Sequence, residues 1–166
     1  MFYFVYCTYF DEKELRKYSS KAVFVTKAKA VNVKVEFRAA GDRRDRGWCH
    51  LNDTATARGE VTYGLIYMFP EEDSVADFDD FDRCFLTVRG DDGNVYDCFT
   101  YRLNRPGVPM RPPNYYWQHI PTGLKNWSFP PEYIDKIIKV FNDAMPCPDA
   151  DRPQPAGAPG KSADSR

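Results

Sequence analysis

Over the first two-thirds of the chain, apolar and polar positions alternate in short runs, and this alternation predicts strands. The strictest case is Val31-Asn32-Val33-Lys34-Val35-Glu36-Phe37, the pattern of a half-buried strand. Residues 2–7 alternate aromatic and aliphatic side chains and predict a first strand close to Met1. Residues 61–68 predict another, with Gly64 inside it, where a backbone or a ligand comes close. Residues 85–89 and 95–103 flank Gly90-Asp91-Asp92-Gly93-Asn94, which reads as a hairpin.

The period lengthens elsewhere. Asp11-Glu12-Lys13-Glu14 has the form of a capping box and opens a short helix through Leu15 to Tyr18. Residues 115–124 predict a helix. Residues 131–145 predict another, because Tyr133, Ile134, Ile137, Ile138 and Phe141 recur at spacings of three and four. Mostly antiparallel strands with a few helices give an α+β class built on a mixed, closed or nearly closed sheet with peripheral helices. After Met145 no large apolar residue remains, and Pro, Ala, Gly, Ser and Asp dominate. Such a segment cannot bury enough surface to order itself, so the expected domain is 1–146, with 147–166 a disordered tail.

Composition narrows the partners. With 43% hydrophobic and 16% aromatic residues in 166, a core forms without staples. Lys and Arg (23) nearly cancel Asp and Glu (24), and no basic cluster is interleaved with aromatics, which argues against nucleic acid. No apolar run approaches the roughly 20 residues that span a bilayer, and no basic lead-in marks an export signal. Five cysteines (Cys7, Cys49, Cys84, Cys98 and Cys147) make an odd count without a C-x-x-C pair. With only His50 and His119 to assist, they predict neither a metal site nor a cofactor, but five reduced thiols in a cytoplasmic monomer or homodimer.

The order of landmarks resembles the γ-glutamylcyclotransferase-like family. Tyr3-Phe4-Val5-Tyr6-Cys7-Thr8-Tyr9 stands where members carry an aromatic-x-Tyr-Gly-Ser-Asn loop after the first strand. Gly59-Glu60-Val61-Thr62-Tyr63-Gly64-Leu65-Ile66-Tyr67 is similar to their Gly-x-x-Val-x-Gly-aliphatic-aliphatic-Tyr strand. Late in the chain, the run from Pro112 through Tyr116 and Ile120 to Gly123, then Phe129-Pro130-Pro131-Glu132-Tyr133, follows their closing pattern. The resemblance spans about residues 2–142. It implies the family's fold and a pocket at the end of the first strand. It also implies a carboxylate that moves a proton between attacking and leaving amines.

At the residues that carry the family's chemistry, the chain departs from it. Cys7, Thr8 and Tyr9 replace Gly, Ser and Asn, so the pocket is reshaped. The catalytic Glu is replaced by an aspartate in Asp77-Phe78-Asp79-Asp80-Phe81-Asp82. Spacing from Asp77 selects Asp80; Asp79 and Asp82 are the neighbouring registers. Beside this stands the plainer reading of a solvated acidic turn. Tyr6, Cys7, Thr8, Tyr9, Tyr67 and Tyr116 are the candidate substrate contacts, although aromatics this frequent are usually core. Cys7 as a nucleophile and His50 as a base are set against a small buried residue and a structural histidine. Three functions follow. The first is a small-molecule enzyme using carboxylate acid–base chemistry for a cyclisation, isomerisation or elimination on a new substrate. The second is an ordinary γ-glutamylcyclotransferase, and the third a non-catalytic binding or interaction module. An acid in a deep pocket beside Cys7 and Thr8 favours an enzyme; an acid-free pocket favours the module.

Overall fold

The strand-rich part of the sequence closes on itself. The computed structural model describes residues 1–75 and 78–156. Its strands are β1 (Phe2–Val5), β2 (Val23–Val31), β3 (Lys34–Ala40), β4 (Gly47–Asn52), β5 (Val61–Met68), β6 (Phe81–Gly90), β7 (Val95–Leu103) and β8 (Pro106–Pro109). Five of them form a closed barrel in the order β1-β5-β2-β6-β7. Closure comes from a parallel pairing of β1 with β7, Phe2 opposite Cys98 and Tyr3 opposite Phe99. The remaining three make a separate sheet, β4-β3-β8. Among the described residues four α-helices lie outside: α1 (Glu12–Tyr18), α2 (Asn114–Trp117), α3 (His119–Asn126) and α4 (Pro131–Asp143).

Burial accounts for these choices. Phe4, Leu65, Ile66, Tyr67 and Phe99 are almost wholly inaccessible in the barrel. Leu15 of α1 and Ile120 and Leu124 of α3 continue the same core outside it. In α4, Tyr133, Ile134 and Ile137 are buried, while Phe141 stacks on Trp117 with ring centroids 3.9 Å apart. Gly64 marks a close approach of protein rather than of ligand. A Cβ there would lie 2.3 Å from the Val5 carbonyl oxygen and 2.6 Å from the Phe4 ring.

Several expectations need correction. The alternating run 31–37 is not one strand: Val31 ends β2, Lys34 begins β3, and Asn32 turns the chain between them at φ 59°. Asn tolerates this left-handed conformation, and both arms are half-buried, so the period of two continues across the corner. The helix expected over 115–124 is two, α2 and α3, with Gln118 between them. Asp11 caps α1 by accepting the Lys13 N–H at 3.0 Å, whereas Glu14 turns to Lys17 instead of back to the cap. Strand β2 escaped the pattern because Lys27-Ala28-Lys29-Ala30 alternates through small residues. Its Ala28 and Ala30 are nonetheless buried.

Beyond α4 the chain is held against the body as far as Gln154, whose side chain donates to Glu14 at 3.3 Å. Arg111 N–H donates to the Met145 carbonyl (2.9 Å) and Asn114 N–H to that of Ala150 (2.8 Å), while Cys147 is buried. Residues 157–166 of the expected tail lie outside the described residues. No helix among the described residues is long and apolar enough to cross a membrane.

Candidate functional site

A pocket opens where β1 ends and the barrel meets the second sheet. Beyond Val5 the chain leaves the strand through Tyr6 and Cys7 and makes a 3-10 turn over Thr8–Phe10. Thr8 and Tyr9 line the pocket with them. Trp48 and Cys49 enter from β4, Phe81 from the start of β6, Tyr101 from β7 and Tyr116 from α2. Tyr3, Val5 and Phe78 complete a cavity of about 110 Å³. Its rings brace one another edge to face: Phe78 on Tyr101 at 4.7 Å, Trp48 on Tyr116 at 5.5 Å and on Phe81 at 6.1 Å. Arg46 lies over the Trp48 ring, 4.5 Å from its centroid.

Phenols, with the Thr8 hydroxyl and the Trp48 indole beside them, are the polar groups of this wall. Tyr6 donates its hydroxyl to the Tyr101 carbonyl at 2.6 Å, which ties the loop after β1 to β7. The Tyr116 hydroxyl accepts the Cys49 N–H at 3.2 Å and lies 3.4 Å from Cys7 Sγ. Burial pushes the phenols of Tyr3, Tyr6, Tyr9 and Tyr116 well above their ordinary range, and neighbouring tyrosines add to the shift. They therefore stay neutral across physiological pH. They offer hydrogen bonds rather than charge.

Of the residues singled out in the sequence, Tyr6, Cys7, Thr8, Tyr9 and Tyr116 come together here. The carboxylates do not join them. Asp80 pairs with Arg43 at the surface, and its carbonyl accepts the Asn104 N–H at 3.0 Å. Asp79 is exposed and gives its carbonyl to the Asn104 side chain (3.1 Å). Asp82 is exposed on β6, opposite Arg102 of β7. Each is turned outward because the apolar Phe78 and Phe81 take the inward positions of the same segment. Asp77 lies outside the described residues. Tyr67 is also elsewhere: it is fully buried against Phe24, and burial, with Glu12 nearby, raises its hydroxyl to about 12. His50 is buried on β4 but is not part of the wall.

The cysteine expectation is overturned. Cys7 and Cys49 form a disulfide, with Cα atoms 6.5 Å apart, while Cys84, Cys98 and Cys147 are free. The odd count concealed one bridge among five residues, because tertiary closure brings together two residues separated by 42 positions. Sequence reasoning also passed over Trp48, Phe78 and Phe81 as wall residues. Their one signal was aromatic character in a polar stretch. Among the described residues, no group of three or more His, Cys, Asp or Glu is placed to hold a metal ion.

No family model matches the chain, and no curated protein is significantly similar to it. Solved structures are similar in fold. One described as gamma-glutamyl cyclotransferase superposes with a TM-score of 0.70, covering 88% of this chain and 88% of that one at 16% identity. An uncharacterized protein from Homo sapiens gives 0.68 over 87% and 88%, also at 16% identity. YkqA from Bacillus subtilis gives 0.68 at 20% identity, covering 88% of this chain and 55% of its own.

Proposed function

We propose, for a chain that has the γ-glutamylcyclotransferase-like fold, that the pocket at the end of β1 receives a compact, largely apolar small molecule. The observation that carries this reading is the wall: aromatic rings dominate it, and among the described residues none of its side chains is charged. A γ-glutamyl group brings an α-ammonium and an α-carboxylate. Charges taken out of water without partners are costly, so such a group fits this wall poorly. A neutral aromatic compound fits it well. It exchanges ring contacts worth about 0.5–1.5 kcal/mol each beyond burial, and the phenols satisfy one or two of its acceptors.

Trp48 supplies the test. Titrating the protein with p-cresol should quench or shift indole fluorescence saturably, and Trp48→Phe should remove the signal. γ-Glutamyl dipeptides should give neither the spectral change nor 5-oxoproline. Robust release of 5-oxoproline would overturn this reading in favour of the ordinary cyclotransferase.

A second reading keeps acid–base chemistry in the same pocket, as a cyclisation, isomerisation or elimination. Its support is specific: the acidic run of the sequence supplies two residues of the wall, Phe78 and Phe81, so its carboxylates adjoin the pocket along the chain. With a converted compound in hand, Asp77→Asn should lower turnover about a hundredfold with binding unchanged. Asp80→Asn should leave turnover alone. The opposite ranking would remove this reading.

A further inference from the structure

The Cys7–Cys49 disulfide ties the loop after β1 to β4 of the second sheet, and so joins two layers of the fold. Unlike a bridge shut inside a core, it borders a cavity open to small molecules, since both cysteines belong to the wall. Cys7 is the more accessible of the two, and Cys49 is buried. The other three thiols are poor attackers. Burial raises Cys84, Cys98 and Cys147 above the ordinary thiol range, Cys98 to about 12. Little thiolate means slow exchange within the chain, so the bridge must be opened by a thiol from outside.

Tyr116 stands beside the bridge. Its oxygen accepts the Cys49 N–H, which leaves its own proton for Cys7 Sγ at 3.4 Å. A neutral phenol in that place favours a thiolate on Cys7, because a hydrogen bond to an ionised acceptor is stronger than one to a neutral acceptor.

We propose that this pocket is a thiol–disulfide exchange site, in which a low-molecular-weight thiol opens the Cys7–Cys49 bridge and thereby alters the wall that meets the ligand. The effect on ligand rests on the binding reading above; the exchange does not. The incoming thiolate attacks Cys7 Sγ, the S–S bond breaks, and the electron pair leaves on Cys49 Sγ, which takes a proton from solvent. A second thiolate attacks the outer sulfur of the mixed disulfide. This forms a small-molecule disulfide and releases Cys7 as a thiolate beside Tyr116. Once Cys7 in turn takes a proton from solvent, the bridge has gained two electrons and two protons, and two small thiols have lost them. Reduction removes the covalent tie between the two layers and places two thiols in the wall.

The test uses the oxidised full chain in buffers of stepped ratios of 2-mercaptoethanol to its disulfide, small uncharged reagents that suit this wall, without denaturant. Alkylation after an acid quench should rise from three to five modified cysteines in one two-electron step, while the far-ultraviolet circular dichroism stays constant. Trp48 adjoins Cys49, so its fluorescence should rise as the quenching disulfide opens. Affinity for p-cresol should differ by about threefold or more between the two forms. The double variant Cys7→Ser/Cys49→Ser should bind as the reduced form does; if it does not fold, the reduced wild-type chain supplies that comparison. Tyr116→Phe should slow the release of Cys7 from the mixed disulfide several-fold. Two cysteines that resist alkylation until the protein unfolds would overturn the proposal, as would equal p-cresol affinity in both forms. If p-cresol binds neither form, the ligand reading fails, and the alkylation step alone decides whether the exchange site stands.

Discussion

His50 illustrates how little room a polar atom has in this fold. It lies buried on β4 beside Cys49, and its Nδ1 has no hydrogen-bond partner among the described residues. Burial lowers its pKa from 6.5 to about 4. Between those values the unfolded chain takes up a proton that the folded chain refuses. The neutral ring's contribution is therefore complete above about pH 6.5 and lost as the pH falls through 4, at most about 3 kcal/mol. Urea unfolding at pH 7 and pH 4.5 should show this loss, and His50→Gln should flatten it. An unchanged slope in the variant would place the dependence elsewhere. The disulfide belongs to the same scale. A closure across 42 positions should stabilise the chain by about 4 kcal/mol if loop entropy governs. Reduction should lower the urea midpoint accordingly, and thiol titration of the unfolded, non-reduced protein should return three rather than five.

Among the elements, α3 supplies no wall residue but backs the turn that does. It packs on the Thr8–Phe10 turn, and the Trp127 indole N–H just beyond it donates to the Phe10 carbonyl at 2.9 Å. Contact is this close because position 123 has no side chain: a Cβ there would stand 2.4 Å from the Phe10 Cβ. Gly123→Ala should therefore push the turn away, costing about 1–3 kcal/mol, and weaken p-cresol binding in the same measurement. Gly59→Ala is the contrast. Nothing lies within 4 Å of its Cβ position, and only its φ of +83° resists a side chain. It should cost about 1 kcal/mol and leave binding intact. Equal effects of the two on binding would show that α3 does not position the turn.

For the molecule as a whole, the segment after α4 connects distant parts. Met145 and Ala150 accept backbone hydrogen bonds from Arg111 and Asn114, and Asn114 begins the helix that carries Tyr116. We expect a chain ending at Ala156 to keep the melting temperature and p-cresol affinity of the full chain. A chain ending at Ala144 should melt several degrees lower, as a loss of 1–2 kcal/mol implies for a domain of this size, and bind p-cresol more weakly. Identical melting of both would mean that these contacts contribute nothing.

Much of this architecture was legible in the sequence, and the reason is physical. A strand with one buried face must alternate, and an outer helix must repeat its apolar positions at three and four. The hairpin of β6 and β7, strand β5 and helix α4 therefore announce themselves. The loop after β1 was equally visible, because Tyr6, Cys7, Thr8 and Tyr9 occupy the positions that the family resemblance marks. Tertiary structure decided what depends on closure. Whether Val31 to Phe37 runs straight or turns at Asn32 is invisible to a period of two. Whether Phe78 and Phe81 or their acidic neighbours face inward depends on where β6 joins the barrel. That Cys49, 42 positions away, meets Cys7 follows only once the second sheet lies against the end of β1. Local patterns report which residues leave water; the closed barrel decides which of them meet.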